Sequence, residues 1–209
     1  STTNSTTVTK VGTTTVTTTY PQTIRGSLIE GETPSDYFGN AVAVNSDGTV
    51  IAVGIYNSVY NSVNGAGAMR IYQYNSSDNS WNQLGSQINP VTGENDLFGR
   101  SVALNSDTSS KIIFAGAAAF DDDGGTDSGA VFIYEYNSSS NSWDQLGSQI
   151  NGPSGGKLGN NSGGKGISLS SDGNRIAFGA PEYSNNKGQV EVWEYNSSSN
   201  SWGRLGNEI

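Results

Sequence analysis

Apolar and polar residues alternate with a period of two over short stretches, and those stretches recur along the chain in a fixed order. Such alternation sends successive side chains to opposite faces of a β-strand. Residues 68–74, 130–136 and 189–195 each place aliphatic side chains on one face (Met69/Ile71, Val131/Ile133, Val190/Val192) and aromatic ones on the other (Tyr72/Tyr74, Tyr134/Tyr136, Trp193/Tyr195). Two packed faces fit a sheet held between neighbours. Ahead of each lies a run at 50–54, 112–116 or 176–179 that is apolar on both faces and is expected to be buried on both sides. Before these come runs at 41–44, 101–104 and 166–169, which end at Asn45-Ser46-Asp47-Gly48, Asn105-Ser106-Asp107 and Ser170-Ser171-Asp172-Gly173. An Asp-Gly between two apolar runs predicts a hairpin, because the turn needs a positive φ that Gly adopts without a Cβ clash. A fourth strand is expected from Trp81 to Ile88 and in its two copies. No segment carries a 3.6-residue apolar period, so essentially no helix is expected.

The recurring order is an internal repeat. Tyr74-Asn75-Ser76-Ser77-Asp78-Asn79-Ser80-Trp81 returns at 136–143 and 195–202, and each Trp is followed by Leu-Gly-x-x-Ile, at Leu84-Gly85, Leu146-Gly147 and Leu205-Gly206. Units of about 60 residues with four short antiparallel strands are too long for solenoid repeats and suit propeller blades. The predicted fold is all-β: three tandem four-stranded antiparallel propeller-type blades, an incomplete propeller, preceded by an extended N-terminal arm. The arm or linker covers 1–23, and the blades cover 24–88, 89–150 and 151–209.

Phe38-Gly39 and Phe98-Gly99 open two of the first strands, and Gly179-Ala180-Pro181 closes the second strand of the last unit. With these residues the chain resembles the FG-GAP repeats of integrin α-chain propellers and of many secreted or surface proteins, over about residues 24–209. The resemblance implies one blade per unit and a place outside the cell. The third unit departs from it, with Gly163-Gly164 where Phe-Gly belongs, and Gly54-Ile55 and Gly116-Ala117 lack the proline.

Three blades are fewer than the four or more of a closed propeller, so apolar faces are expected at both ends, to be covered by copies of the same chain. Gly26-Ser27-Leu28-Ile29 mirrors Gly85-Ser86-Gln87-Ile88, the remnant of a preceding fourth strand. Residues 1–20 are rich in Thr, with Val8, Val11 and Val16 among them. One reading is a disordered stalk carrying O-linked sugar. The other is a β-branched arm that adds to the sheet edge of another subunit, with those three valines in the contact.

Composition narrows the chemistry. The chain has 10 Lys and Arg against 19 Asp and Glu, a net charge of −9, which removes the basic footprint of nucleic-acid or anionic-membrane binding. No run of about 18 apolar residues and no charged-plus-apolar leader is present, so neither a spanning helix nor a secretion signal is expected. With no Cys and no His, thiol nucleophiles, Ser-His-Asp chemistry and zinc ligation through those side chains are excluded.

Glycosylation sequons occur at Asn4, Asn75, Asn137, Asn160 and Asn196, three of them at the same point of the outer hairpin. Asn and Ser are also good turn formers, which explains the same residues without sugar. Asp121, Asp122, Asp123 and Asp127 lie in a Gly-rich loop with oxygens suited to calcium; a solvated loop is the other reading. Glu135, Glu191 and Glu194 are the carboxylates available for a glycosidase-like pair, and Tyr72, Tyr134 and Trp193 the rings available for sugar stacking, although inter-blade packing accounts for the rings. The expected function is a non-enzymatic, extracellular or cell-surface structural protein: a glycosylated repeat subunit of a fibre, filament or matrix that assembles with itself. The alternative is an adhesion or recognition module that binds carbohydrate or a protein through its loops.

Overall fold

The computed structural model describes residues 26–89, 93–106, 111–118, 126–159 and 166–206, together with the backbone of two short strands in the arm. Those two, β1 (Thr6–Val8) and β2 (Val16–Thr18), pair antiparallel with Val8 opposite Val16, so this part of the arm folds back on itself. Val11 lies outside the described residues.

Each repeat forms a four-stranded antiparallel meander. Blade 1 is β3 (Phe38–Val44), β4 (Val50–Ile55), β5 (Ala68–Asn75) and β6 (Ser80–Gln83). Blade 2 is β7 (Ser101–Leu104), β8 (Ile113–Ala118), β9 (Ala130–Asn137) and β10 (Ser142–Gln145), with β11 (Ile150–Asn151) returning to pair β9. Blade 3 is β12 (Ile167–Leu169), β13 (Arg175–Ala180), β14 (Gln189–Asn196) and β15 (Ser201–Arg204). At Tyr183–Asn186 the chain makes one tight turn; Ser184 and Asn185 have φ of 54° and 58°, so it is not a right-handed helix.

The blades stack face to face, with their first strands adjacent: β3 packs beside β7, and β7 beside β12. Period-2 alternation decides what meets what. The aliphatic face of blade 1 (Ala52, Met69, Ile71, Leu84) closes on the opposite face of blade 2 (Val102, Phe114, Phe132, Tyr134). The aliphatic face of blade 2 (Ala115, Val131, Ile133, Leu146) closes in the same way on Ile167, Ile176 and Phe178, with Trp193 and Tyr195 packed alongside. The first-to-second-strand hairpins are held by a buried side chain: Asn45 Oδ1 accepts from Val50 N at 2.9 Å and Asn105 Oδ1 from Ile113 N at 2.8 Å. In blade 3 Ser170 Oγ takes that role, accepting from Arg175 N at 2.9 Å.

Two expectations change. The fourth strand is not continuous from Trp81 to Ile88: the strand ends at Gln83, Leu84 N makes a last bond to Ile71 O at 2.8 Å, the chain turns at Gly85, and Ile88 rejoins the sheet opposite Met69. Gly85, Gly147 and Gly206 have φ of 68°, 66° and 79°, a left-handed conformation that breaks a strand at the same place in every unit. The place of Phe-Gly in the third unit is taken by Leu158-Gly159, not Gly163-Gly164. Phe98 N bonds Ala66 O at 3.1 Å and Leu158 N bonds Ser128 O at 2.9 Å, equivalent carbonyls of the preceding blade, and both side chains are fully buried. Residues 160–165 follow as an insertion outside the described residues, so Asn160 falls there as well.

Candidate functional site

The feature built most consistently by the repeat is a joint between neighbouring blades. In each outer hairpin the second Asn sits at positive φ (Asn79 56°, Asn141 52°, Asn200 47°), which Asn tolerates better than most residues. Its Oδ1 accepts the hydroxyl of the Tyr that begins the motif, at 2.7 Å for Tyr74 and 2.8 Å for Tyr136 and Tyr195. The Trp two residues later leans across to the preceding blade. Trp143 Nε1 donates to the Leu84 carbonyl at 3.0 Å, and Trp202 Nε1 to the Leu146 carbonyl at 2.8 Å. Asn200 Oδ1 also accepts Gly147 N at 3.0 Å.

The glycines after Leu84 and Leu146 leave little room for a side chain. A Cβ on Gly85 would lie 2.7 Å from Trp143 Nε1, and one on Gly147 would lie 3.1 Å from Trp202 Cδ1. Motif residues that look like turn formers in isolation are thus the two halves of one clasp, split between consecutive units.

Two blade faces have no neighbouring blade among the described residues. On blade 1 Val42 and Val44 are 67% and 60% exposed, where their counterparts in blade 2, Val102 and Leu104, join the blade 1–2 core. On blade 3 Val190 is 43% exposed and Leu205 44%, against 9% for Leu84 and Leu146. The first face presents the surface that receives an aliphatic partner; the last presents the aliphatic partner.

Polar grooves flank these faces. The larger, about 630 Å³, is lined by Lys111, Asp172, Asn174, Arg175, Glu194 and Tyr195. The Ser170 hydroxyl and Asn174 amide bonded to the Asp172 carboxylate hold it below the usual carboxylate range. A smaller one of about 160 Å³ lies by Glu32, Arg70 and Gln87, where Arg70 pairs Glu32 at 2.8 Å and the hydrogen bond lowers that carboxyl too.

The candidates from sequence fall as follows. Asn75, Asn137 and Asn196 share one place, each side-chain oxygen accepting the N–H two residues on at 3.0 Å in an Asx turn. Asn4, Asp121, Asp122 and Asp123 lie outside the described residues; Asp127 sits in a turn at φ 51°, its carbonyl bonded by Lys157 N at 2.9 Å. Among the described residues no three acidic side chains gather to hold a metal.

The three glutamates are not brought together as a pair. Glu191 faces blade 2, buried, and accepts from Gln189 Nε2, Trp193 Nε1 and Arg204 at 2.7, 2.7 and 3.0 Å. Glu194 lies on the opposite face of β14 with Arg175, and Glu135 pairs Lys111 at 3.2 Å. Tyr72 and Tyr134 are buried, and burial pushes the Tyr134 hydroxyl up to about 12. No helix among the described residues is long and apolar enough to cross a membrane.

No protein-family model matches the chain, and no curated protein matches it. Neither comparison identifies FG-GAP repeats, so that resemblance rests on the Phe-Gly and Gly-Ala-Pro residues alone. Among solved structures, a Bacteroides fragilis protein described as a candidate 6-phosphogluconolactonase superposes with a TM-score of 0.52 at 11% identity, over 80% of this chain and 38% of its own. Saccharomyces cerevisiae Sqt1 superposes with a TM-score of 0.47 at 14% identity, over 82% of this chain and 35% of its own. The chain spans well under half the length of either.

The first likeness is one of fold alone, and it accords with the propeller-type arrangement. It also corrects the expectation that the chain is not an enzyme. A protein described as a candidate lactonase is built on this kind of sheet, and lack of His and Cys still leaves carboxylates, amides and hydroxyls for chemistry on such a scaffold.

Proposed function

We propose that the chain is a repeat subunit of an extracellular or cell-surface fibre, filament or matrix, of FG-GAP type, that associates with copies of itself and carries glycans on its outer hairpins. The observation that carries this reading is the pair of complementary faces open at opposite ends, around Val42 and Val44 on blade 1 and around Val190 and Leu205 on blade 3. Inside the chain each kind of face is covered by the other kind, so a second copy offers what each end lacks. Such head-to-tail contacts close into rings when the rotation allows and otherwise run on as filaments. The net charge of −9 keeps unassembled subunits apart in solution.

Sedimentation velocity over a concentration series, with electron microscopy of the same samples, tests the proposal. Growth of rings or filaments with concentration is expected; a monomer at every concentration overturns it. A second reading, a recognition module, draws on the polar groove around Asp172, Asn174, Arg175 and Tyr195, whose amide, charged and aromatic groups suit a saccharide. Saturable binding of an oligosaccharide by a monomer, lost on Tyr195→Ala, favours that reading instead.

A further inference from the structure

Among the described residues there are three hairpin halves of the blade clasp and four turn halves. The hairpin halves are Asn79 with Trp81, Asn141 with Trp143, and Asn200 with Trp202; the turn glycines are Gly26, Gly85, Gly147 and Gly206. Trp143 and Trp202 hold Leu84-Gly85 and Leu146-Gly147. Blade 1's hairpin half is filled from within the chain: Gly26 N donates to Asn79 Oδ1 at 2.9 Å, and a Cβ on Gly26 would collide with Trp81 Cδ1. Residues 26–29 stand where the end of a preceding blade would be, yet Leu28 is 80% exposed.

The fourth turn half, Leu205-Gly206, is formed and no hairpin half meets it among the described residues. Leu205 N bonds Val192 O at 2.7 Å, as Leu84 N bonds Ile71 O at 2.8 Å and Leu146 N bonds Ile133 O at 2.9 Å. Gly206 keeps the left-handed φ of its counterparts, and nothing lies within 4 Å of a Cβ placed on it.

We propose that Leu205-Gly206 of one copy enters the Asn79/Trp81 hairpin of a second copy, displacing that copy's residues 26–29, which act as a tethered competitor of assembly. This rests on the self-association reading and supplies its register. Val190 and Val192 of the first copy then meet Val42 and Val44 of the second, as Met69 and Ile71 meet Val102 and Leu104 within the chain. A competitor on the same chain acts at high effective concentration, so its removal shifts the assembly midpoint without adding a contact.

Gly206→Asn and Gly26→Asn test this, because Asn keeps the left-handed turn while placing a Cβ where the indole must lie. Circular dichroism and melting temperature check that both variants are folded. In sedimentation velocity, Gly206→Asn is expected to raise the assembly midpoint about tenfold or more, and Gly26→Asn to lower it by a similar factor. If wild type assembles but Gly206→Asn assembles equally well, or Gly26→Asn brings no decrease, the clasp mechanism is overturned and self-association stands. If wild type stays monomeric at every concentration, self-association fails and the clasp mechanism with it.

Discussion

Replacing Gly85 or Gly206 by Ala imposes the same backbone penalty in two surroundings. Both residues are left-handed, at φ 68° and 79°, and an L-residue there costs roughly 1–2 kcal/mol. At Gly206 the new methyl meets nothing. At Gly85 it lies 2.7 Å from Trp143 Nε1, so the indole must move. That movement breaks the 3.0 Å bond to the Leu84 carbonyl, leaving a part-buried acceptor without its donor at about 1–3 kcal/mol. It also disturbs the edge-on packing of Trp143 against Phe114 at 4.9 Å, worth about 0.5–1.5 kcal/mol.

Gly85→Ala is therefore expected to destabilise by about 2 kcal/mol or more beyond Gly206→Ala. With a urea slope of about 2 kcal/mol/M, that is a difference of about 1 M in the midpoint. Urea unfolding followed by circular dichroism, at a concentration where all proteins are monomeric, measures it. Equal midpoints for the two variants would refute the idea that the Trp143 clasp couples blades 1 and 2.

Asn105→Ala removes an acceptor and a donor from a residue only 1% exposed, leaving Ile113 N and Lys111 O unpartnered, and is expected to cost about 2–3 kcal/mol in the same assay. Glu191→Ala strips Trp193 Nε1 and Gln189 Nε2 of their acceptor, and a loss of about 3 kcal/mol is expected; a midpoint within error of wild type would show that these bonds do not hold blade 3. Tyr134 titrates near 10 when unfolded and about 12 when folded, so the unfolded chain loses this proton first. Its contribution is present below pH 10 and lost as the pH rises to 12; Tyr134→Phe should flatten that decline in alkaline melting curves, and unchanged curves count against it.

The strands are legible because each is a period-2 or doubly apolar run bounded by turn residues: Ser101–Leu104 forms over the predicted residues, and Ala68–Asn75 extends its prediction by one. The break at Leu84-Gly85 is not, because its reason is an indole from the next repeat, some 60 residues away and visible only once blades are stacked. Leu158-Gly159 is not legible as a Phe-Gly motif because Leu takes the buried place of Phe98 and the insertion at 160–165 separates it from β12. The Asn and Ser content of the outer hairpins marks a turn, but the bond from Asn79 and Asn200 across to the neighbouring glycine follows only from tertiary placement. Missing imidazoles and thiols exclude only the chemistry of those groups and say nothing about what other groups a sheet scaffold can position.

Because every unit carries one half of a fastening at its outer hairpin and the complementary half just downstream, no unit is complete alone and none is tied to a particular neighbour. A gene encoding such a chain can gain or lose whole modules by unequal crossing-over and still yield a product in which each internal seam is matched. Module number, and with it reach and curvature, becomes a quantity that selection can vary without redesigning any surface.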